Sequence, residues 1–217
     1  MSIHALDASL AKNVGCATSA MVILVPRNID SQDLARLTAA VAGEPRLRSS
    51  LGGTRLRLVK EVAADEFWQP PRPGTTRFWS PEPAMVSETR RQQDDQSERW
   101  TLSHAALLSL GFVFKDSLPP MSGKHGYWSL YREVRERGAR AHNVRPVADS
   151  HVERYAYKYP KGAIVQPFSV LFDLGQFADE RTVLAVGQAR HVGGGLLIPI
   201  DVEQPVVKEL RHDPHAR

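Results

Sequence analysis

An arginine and a histidine, Arg190 and His191, stand between Gly187 and three consecutive glycines, Gly193, Gly194 and Gly195, with apolar runs on both sides. Glycine tolerates positive φ and lets a ligand approach the main chain closely. A cation and an imidazole beside such backbone suit a polyanion, and the chemistry they offer is acid–base work on a phosphodiester. Cleaving RNA without a metal needs a base for the 2′-hydroxyl and a donor for the leaving 5′-oxygen. Histidine, with a pKa near neutral pH, suits the first. Lys, Arg or Tyr suits the second and offsets charge developing on the phosphate. His4, His104 and His191 are the candidates for the proton transfers.

Rival chemistries lack their parts. A phosphate loop of the Walker type needs Lys and Ser or Thr after its last glycine, and Leu196 and Leu197 follow here. The dinucleotide fingerprint needs a helix after the glycines, whereas this sequence continues as a strand. His191 and the glycines are like an esterase oxyanion loop, but no Gly-x-Ser-x-Gly nucleophile occurs. None of the eight histidines shows a His-Glu-x-x-His pattern or tight His/carboxylate spacing, and the expected cofactor is none. A single cysteine, Cys16, excludes an internal disulfide.

Charge points the same way as the loop. The 217-residue chain has a net charge of +4. From Arg132 to Lys161 there are eight Lys/Arg against four acids, so this segment alone carries that excess. Arg135, Arg140, Arg145, Lys158 and Lys161, with Tyr155 and Tyr157 interleaved, form the footprint of a nucleic-acid binder; a solvated charged helix is the competing reading. The longest early apolar run, Ala20 to Val25, is too short for a membrane span. A cytoplasmic protein without a membrane partner is expected.

The elements that must position these residues follow from hydrophobic periodicity. Met21 to Pro26 reads as a buried strand, with an earlier strand around Ile3 to Leu10. Asp30 or Ser31 caps a helix through Leu34, Leu37, Ala40 and Val41, stopped by Gly43 and Pro45. Thr54 to Val59 alternates as a half-exposed strand. Pro70 to Gly74 reads as a linker. Beyond it come strands at Arg77 to Ser80 and Ala84 to Val86, then a helix through Ala105 to Leu110 closed by Gly111. Further strands are expected at Ile164 to Phe172, Thr182 to Val186 and Leu196 to Ile200. The class is α+β, with modules at 1–70 and 75–205 and a polar tail at 206–217.

Taken in order, several stretches resemble one family. They are His4 to Asp7, Val22 to Arg27, Arg55 to Leu58, Phe78 to Val86, Leu110 to Phe112, Ser169 to Asp173 and Gly187 to Pro199. The sequence resembles the CRISPR-associated repeat-RNA endoribonucleases of the RAMP superfamily. More narrowly, it is similar to the C-terminal, repeat-processing half of the fused protein of subtype I-U, also called I-G. The resemblance implies tandem ferredoxin-like (RRM-like) modules, with Gly187, Arg190, Gly193, Gly194 and Gly195 in an RNA-contacting loop. It also implies a metal-independent endoribonuclease that matures precursor CRISPR RNA, leaves a 2′,3′-cyclic phosphate, and stays with the guide RNA among interference-complex subunits. His4 matches a family position near the first strand and ranks first as base, before His191 and His104. Relatives usually place histidines where this chain has Asn13 to Ala17. That departure motivates the alternative, a non-catalytic subunit capping the 3′ hairpin of the guide RNA. An unrelated α+β protein whose loop binds a small anion is the third reading.

Overall fold

The computed structural model describes residues 1–43, 45–49, 52–58, 60–89, 99–120, 126–148 and 165–212. Within them the chain is α+β with antiparallel sheets. Four strands form the main sheet: β5 (Thr75–Glu82), β6 (Arg140–Pro146), β7 (Phe168–Asp173) and β8 (Leu196–Glu203), in the order β6-β7-β5-β8. All neighbours are antiparallel, and β5 and β8 pair along their whole length, from Thr75 with Glu203 to Glu82 with Leu196.

One face of this sheet is covered by α4 (Leu102–Val113) and α5 (Gly126–Glu136). α4 is apolar all round, and its residues from His104 to Gly111 are buried, as such a helix must be. Gly111 does not close it, contrary to expectation. A Cβ there would lie 2.8 Å from Leu130 Cγ and 3.1 Å from Val134 Cγ2 of α5. The glycine therefore lets two helices approach, and α4 ends three residues after Leu110. The charged stretch expected to bind RNA begins as α5, whose Trp128, Leu130, Tyr131 and Val134 point inward at helical spacing.

The opposite face is crossed by α6 (Gln204–His212), where a polar tail was expected. Val207 and Leu210, one turn apart, bury against Phe78 of β5, and Arg211 reaches Asp173 at 3.1 Å. Amphipathic spacing outweighs the polar composition of that segment.

Among the described residues the N-terminal part forms two two-stranded sheets. β1 (Ser2–Leu6) pairs with β2 (Ala20–Leu24), and β3 (Arg46–Ser49) pairs with β4 (Gly52–Arg55), as two separate ladders. Between β1 and β2 lies α1 (Ala8–Ala11), capped by Asp7, whose carboxylate accepts from Ser9 N and Leu10 N at 2.9 Å each. α2 (Ser31–Ala42) links the ladders, starting at the expected cap, Asp30. Leu6 and Ala11 join the same buried cluster as Trp79, Leu108 and Leu196, so the first strand packs into the core of the main sheet.

The expected linker is tied down too. Arg77 of β5 has a side chain only 4% exposed, and its Nε donates to Asp201 Oδ1 at 3.0 Å. Its Nη1 donates to the carbonyls of Gln69 and Glu180 at 2.7 Å each. One guanidinium thus holds the linker and the β7–β8 connection against the sheet. α3 (Ala64–Phe67) precedes that linker and buries Phe67. Among the described residues no helix is long and apolar enough to cross a membrane.

Candidate functional site

The glycine-rich segment is a closed loop. Val186 N donates to Gly195 O and Leu197 N to Leu184 O, both at 2.9 Å, so antiparallel pairing makes a neck. The strand expected at Thr182 to Val186 shrinks to a single bridge, Ala185 with Leu196. Above the neck the chain turns on itself: Val192 N donates to Ala189 O at 2.9 Å and Gly194 N to the same oxygen at 3.0 Å.

Most of the glycines serve this folding. Gly187, Gly194 and Gly195 are buried. A Cβ on Gly187 would meet Met85 Cβ and Val86 O at 3.1 Å, and one on Gly194 would meet Ala189 Cβ at 2.8 Å. Gly195 has φ +64°, and a Cβ there would overlap the Val186 carbonyl. Internal close approach requires glycine at these three positions. Gly193 is different: it is half-buried, with φ +105° and only Ile3 O within contact range, at 3.6 Å. The surface of the loop consists of His191 and Val192, the latter 54% exposed.

His4 and His191 come together here. In β1 the inward positions are His4 and Leu6, and His4 is 1% exposed. The loop lies along the free edge of β1, where Ile3 N donates to His191 O at 3.3 Å and the His191 Nδ1 lies 3.2 Å from Met1 O. His4 Nε2 lies 3.0 Å from Ser2 Oγ. Burial lowers the His4 pKa, the nearby His191 lowers it further, and the carbonyls of Gly193 and Arg190 act in the opposite sense. The outcome is a neutral imidazole behind the loop and an imidazole at its surface.

Arg190 is already engaged. Its guanidinium pairs with the Glu88 carboxylate, which also accepts from Ser109 Oγ of α4, and its Nη1 donates to Gly187 O at 3.3 Å. Burial pulls the Arg190 pKa below its ordinary value. The cation expected to hold phosphate thus anchors the loop to α4. Glu88 carries no sequence signal for this role, because nothing in a polar run announces a partner so distant along the chain.

The sheet brings a second feature to the same place. Met85 and Phe168 exchange backbone hydrogen bonds at 3.1 and 2.9 Å, Val147 N donates to Pro167 O at 2.8 Å, and Gln188 N donates to Val86 O at 3.0 Å. The end of β5, the start of β8, the glycine loop and both roots of the β6–β7 connection therefore share one end of the sheet. That connection contains Tyr155, Tyr157, Lys158 and Lys161, which lie outside the described residues.

The other expected site residues are placed as follows. Thr101 caps α4 and His104 completes the capping box: Thr101 N donates to His104 Nδ1, and His104 N donates to Thr101 Oγ1. The His104 ring packs on Trp100, Trp128 and Tyr131, with centroids 4.6 to 5.3 Å away. His104 is thus buried in the core among aromatic rings. Arg135 lies over the Tyr131 ring at 5.8 Å. Arg140 Nη1 donates to the carbonyls of Arg135 and Ala139 at 2.7 and 2.8 Å. Both are half-buried around the C-terminal turn of α5. Arg145 is exposed on β6, at the edge of the sheet and leading into the Tyr- and Lys-bearing connection. No family model, no curated protein and no solved structure matches the chain.

Proposed function

We propose that the protein binds CRISPR repeat RNA at the glycine-loop end of its main sheet and cleaves it as a metal-independent endoribonuclease in the cytoplasm. The observation that carries this reading is the convergence just described. Two features far apart in sequence, the His191 loop and the connection bearing Tyr155, Tyr157, Lys158 and Lys161, root at one end of one sheet. The strand order supports it as well. β5 and β6 run parallel with β7 inserted between them and helices in the crossover, an order that suits the ferredoxin-like module of this reading. The usual second helix, between β7 and β8, gives way to the glycine loop.

In this reading His191 exchanges the proton with the ribose or the leaving oxygen, because it stands at the surface. His4, buried and kept neutral, is a positioning residue behind it, which reverses the ranking drawn from the family resemblance. Lys158 and Lys161 offset phosphate charge. The burial of His4 and the pairing of Arg190 favour the second reading, a subunit that holds the guide hairpin without cutting.

Labelled repeat RNA incubated with the protein in EDTA is expected to give one discrete cut with a 2′,3′-cyclic phosphate end. His191→Ala is expected to slow that cut by about 10²–10⁴-fold with affinity nearly unchanged. Tight binding of intact RNA assigns the capping role, and no retention at low salt overturns both.

A further inference from the structure

The β3–β4 hairpin is a strongly cationic ribbon that the proposed site does not use. Between Pro45 and Lys60 the sequence has five cations, Arg46, Arg48, Arg55, Arg57 and Lys60, and no acid. The ladder register sets Arg46 directly opposite Arg55 and Arg48 opposite Gly53. Arg46 and Arg48, two residues apart, therefore share a face with Arg55, and Leu56 N extends the pairing by donating to Pro45 O at 2.9 Å. Like charges directly opposite one another on a ladder are unfavourable. Among the described residues none of these four arginines has an ion-pair partner. All four are exposed. α2 offers only Asp33, which is engaged with Arg36 at 3.2 Å.

We infer that this ribbon is a second polyanion-binding surface, which clamps the phosphate backbone of RNA through Arg46, Arg48, Arg55 and Arg57. The arrangement leaves a repulsion in the free protein that a row of phosphates removes. Guanidinium groups suit phosphate oxygens through paired N–H donors. The segment has no aromatic residue on which a base could stack, so the contact is to backbone and independent of sequence. The inference rests on the proposed reading for the choice of RNA as the polyanion; the charge arrangement stands without it.

The test is the salt dependence of binding of a labelled repeat RNA by the wild-type protein and by the variant R46Q/R48Q/R55Q/R57Q. The slope of log affinity against log salt is expected to fall by about 3 in the variant, with affinity down about tenfold or more. The matching Arg→Lys quartet is expected to keep the wild-type slope. The half-variants R46Q/R55Q and R48Q/R57Q are each expected to lose about half as much, and all are expected to melt with the wild type, since the four arginine side chains are exposed. Wild-type slope in the glutamine variant overturns the inference and leaves the proposed site standing. Hairpin-dependent binding with RNA left uncut upholds the inference and overturns the nuclease reading. No RNA binding by the wild type overturns both. Preference for polyglutamate over RNA of equal charge assigns an acidic protein partner and overturns the RNA clamp.

Discussion

Alanine at Gly195 distinguishes the two reasons a glycine can stand in this loop: close packing within the protein, or close approach of a ligand. At φ +64° an alanine costs about 1–2 kcal/mol in backbone conformation alone. Its Cβ also overlaps the carbonyl of Val186, the residue whose N–H holds Gly195 O at 2.9 Å. Relieving the overlap opens the neck, and losing that hydrogen bond adds about 1 kcal/mol. The expected destabilisation is therefore about 2–4 kcal/mol, which for a chain of this size lowers the melting temperature by roughly 5–15 °C. Gly193→Ala is the control. Its φ of +105° is also strained, but its nearest neighbour is Ile3 O at 3.6 Å, so only the conformational part is lost. Differential scanning calorimetry of both variants, beside RNA affinity, reads the difference. A Gly195→Ala protein that melts with the wild type yet loses RNA would refute the packing argument and restore the ligand as the reason for that glycine.

Two further outcomes follow from buried groups. Arg77→Ala leaves Asp201 and the carbonyls of Gln69 and Glu180 without their shared donor; urea denaturation is expected to show a loss of about 3–5 kcal/mol, and a loss under 1 kcal/mol would contradict the clamp. His4 has a folded-state pKa below its ordinary 6.5, so the unfolded chain takes up the proton first. Stability is present above pH 6.5 and is lost as pH falls from there toward the folded value; His4→Asn is expected to flatten that limb of the melting curve, and an unchanged curve would refute the assignment.

Much of the fold is legible because periodicity is local. The cap Asp30, the apolar run of α4 and the apolar strands β2, β7 and β8 all announce themselves within a few residues. What escapes the sequence depends on distant partners. Gly111 reads as a helix stop until Leu130 is seen against it, and α6 reads as a tail until Val207 and Leu210 find Phe78. At the site, the meeting of His4 with the loop needs the edge of β1 to lie on residue 191, which no spacing rule encodes. Arg190 looks like a free cation because its partner Glu88 sits in a polar run with no pattern. The glycines mark the loop correctly, but their reason is visible only once Val186 and Ala189 are seen beside them.

Ultraviolet cross-linking of repeat RNA to the intact protein, with the attached peptides mapped by mass spectrometry, addresses the proposed site at the loop end of the main sheet most directly. Cross-links are expected both on the loop peptide containing His191 and on the peptide containing Tyr155 and Tyr157, and each should disappear under competition by unlabelled repeat. Cross-links absent from both peptides, with RNA bound, would contradict a site at that end of the sheet.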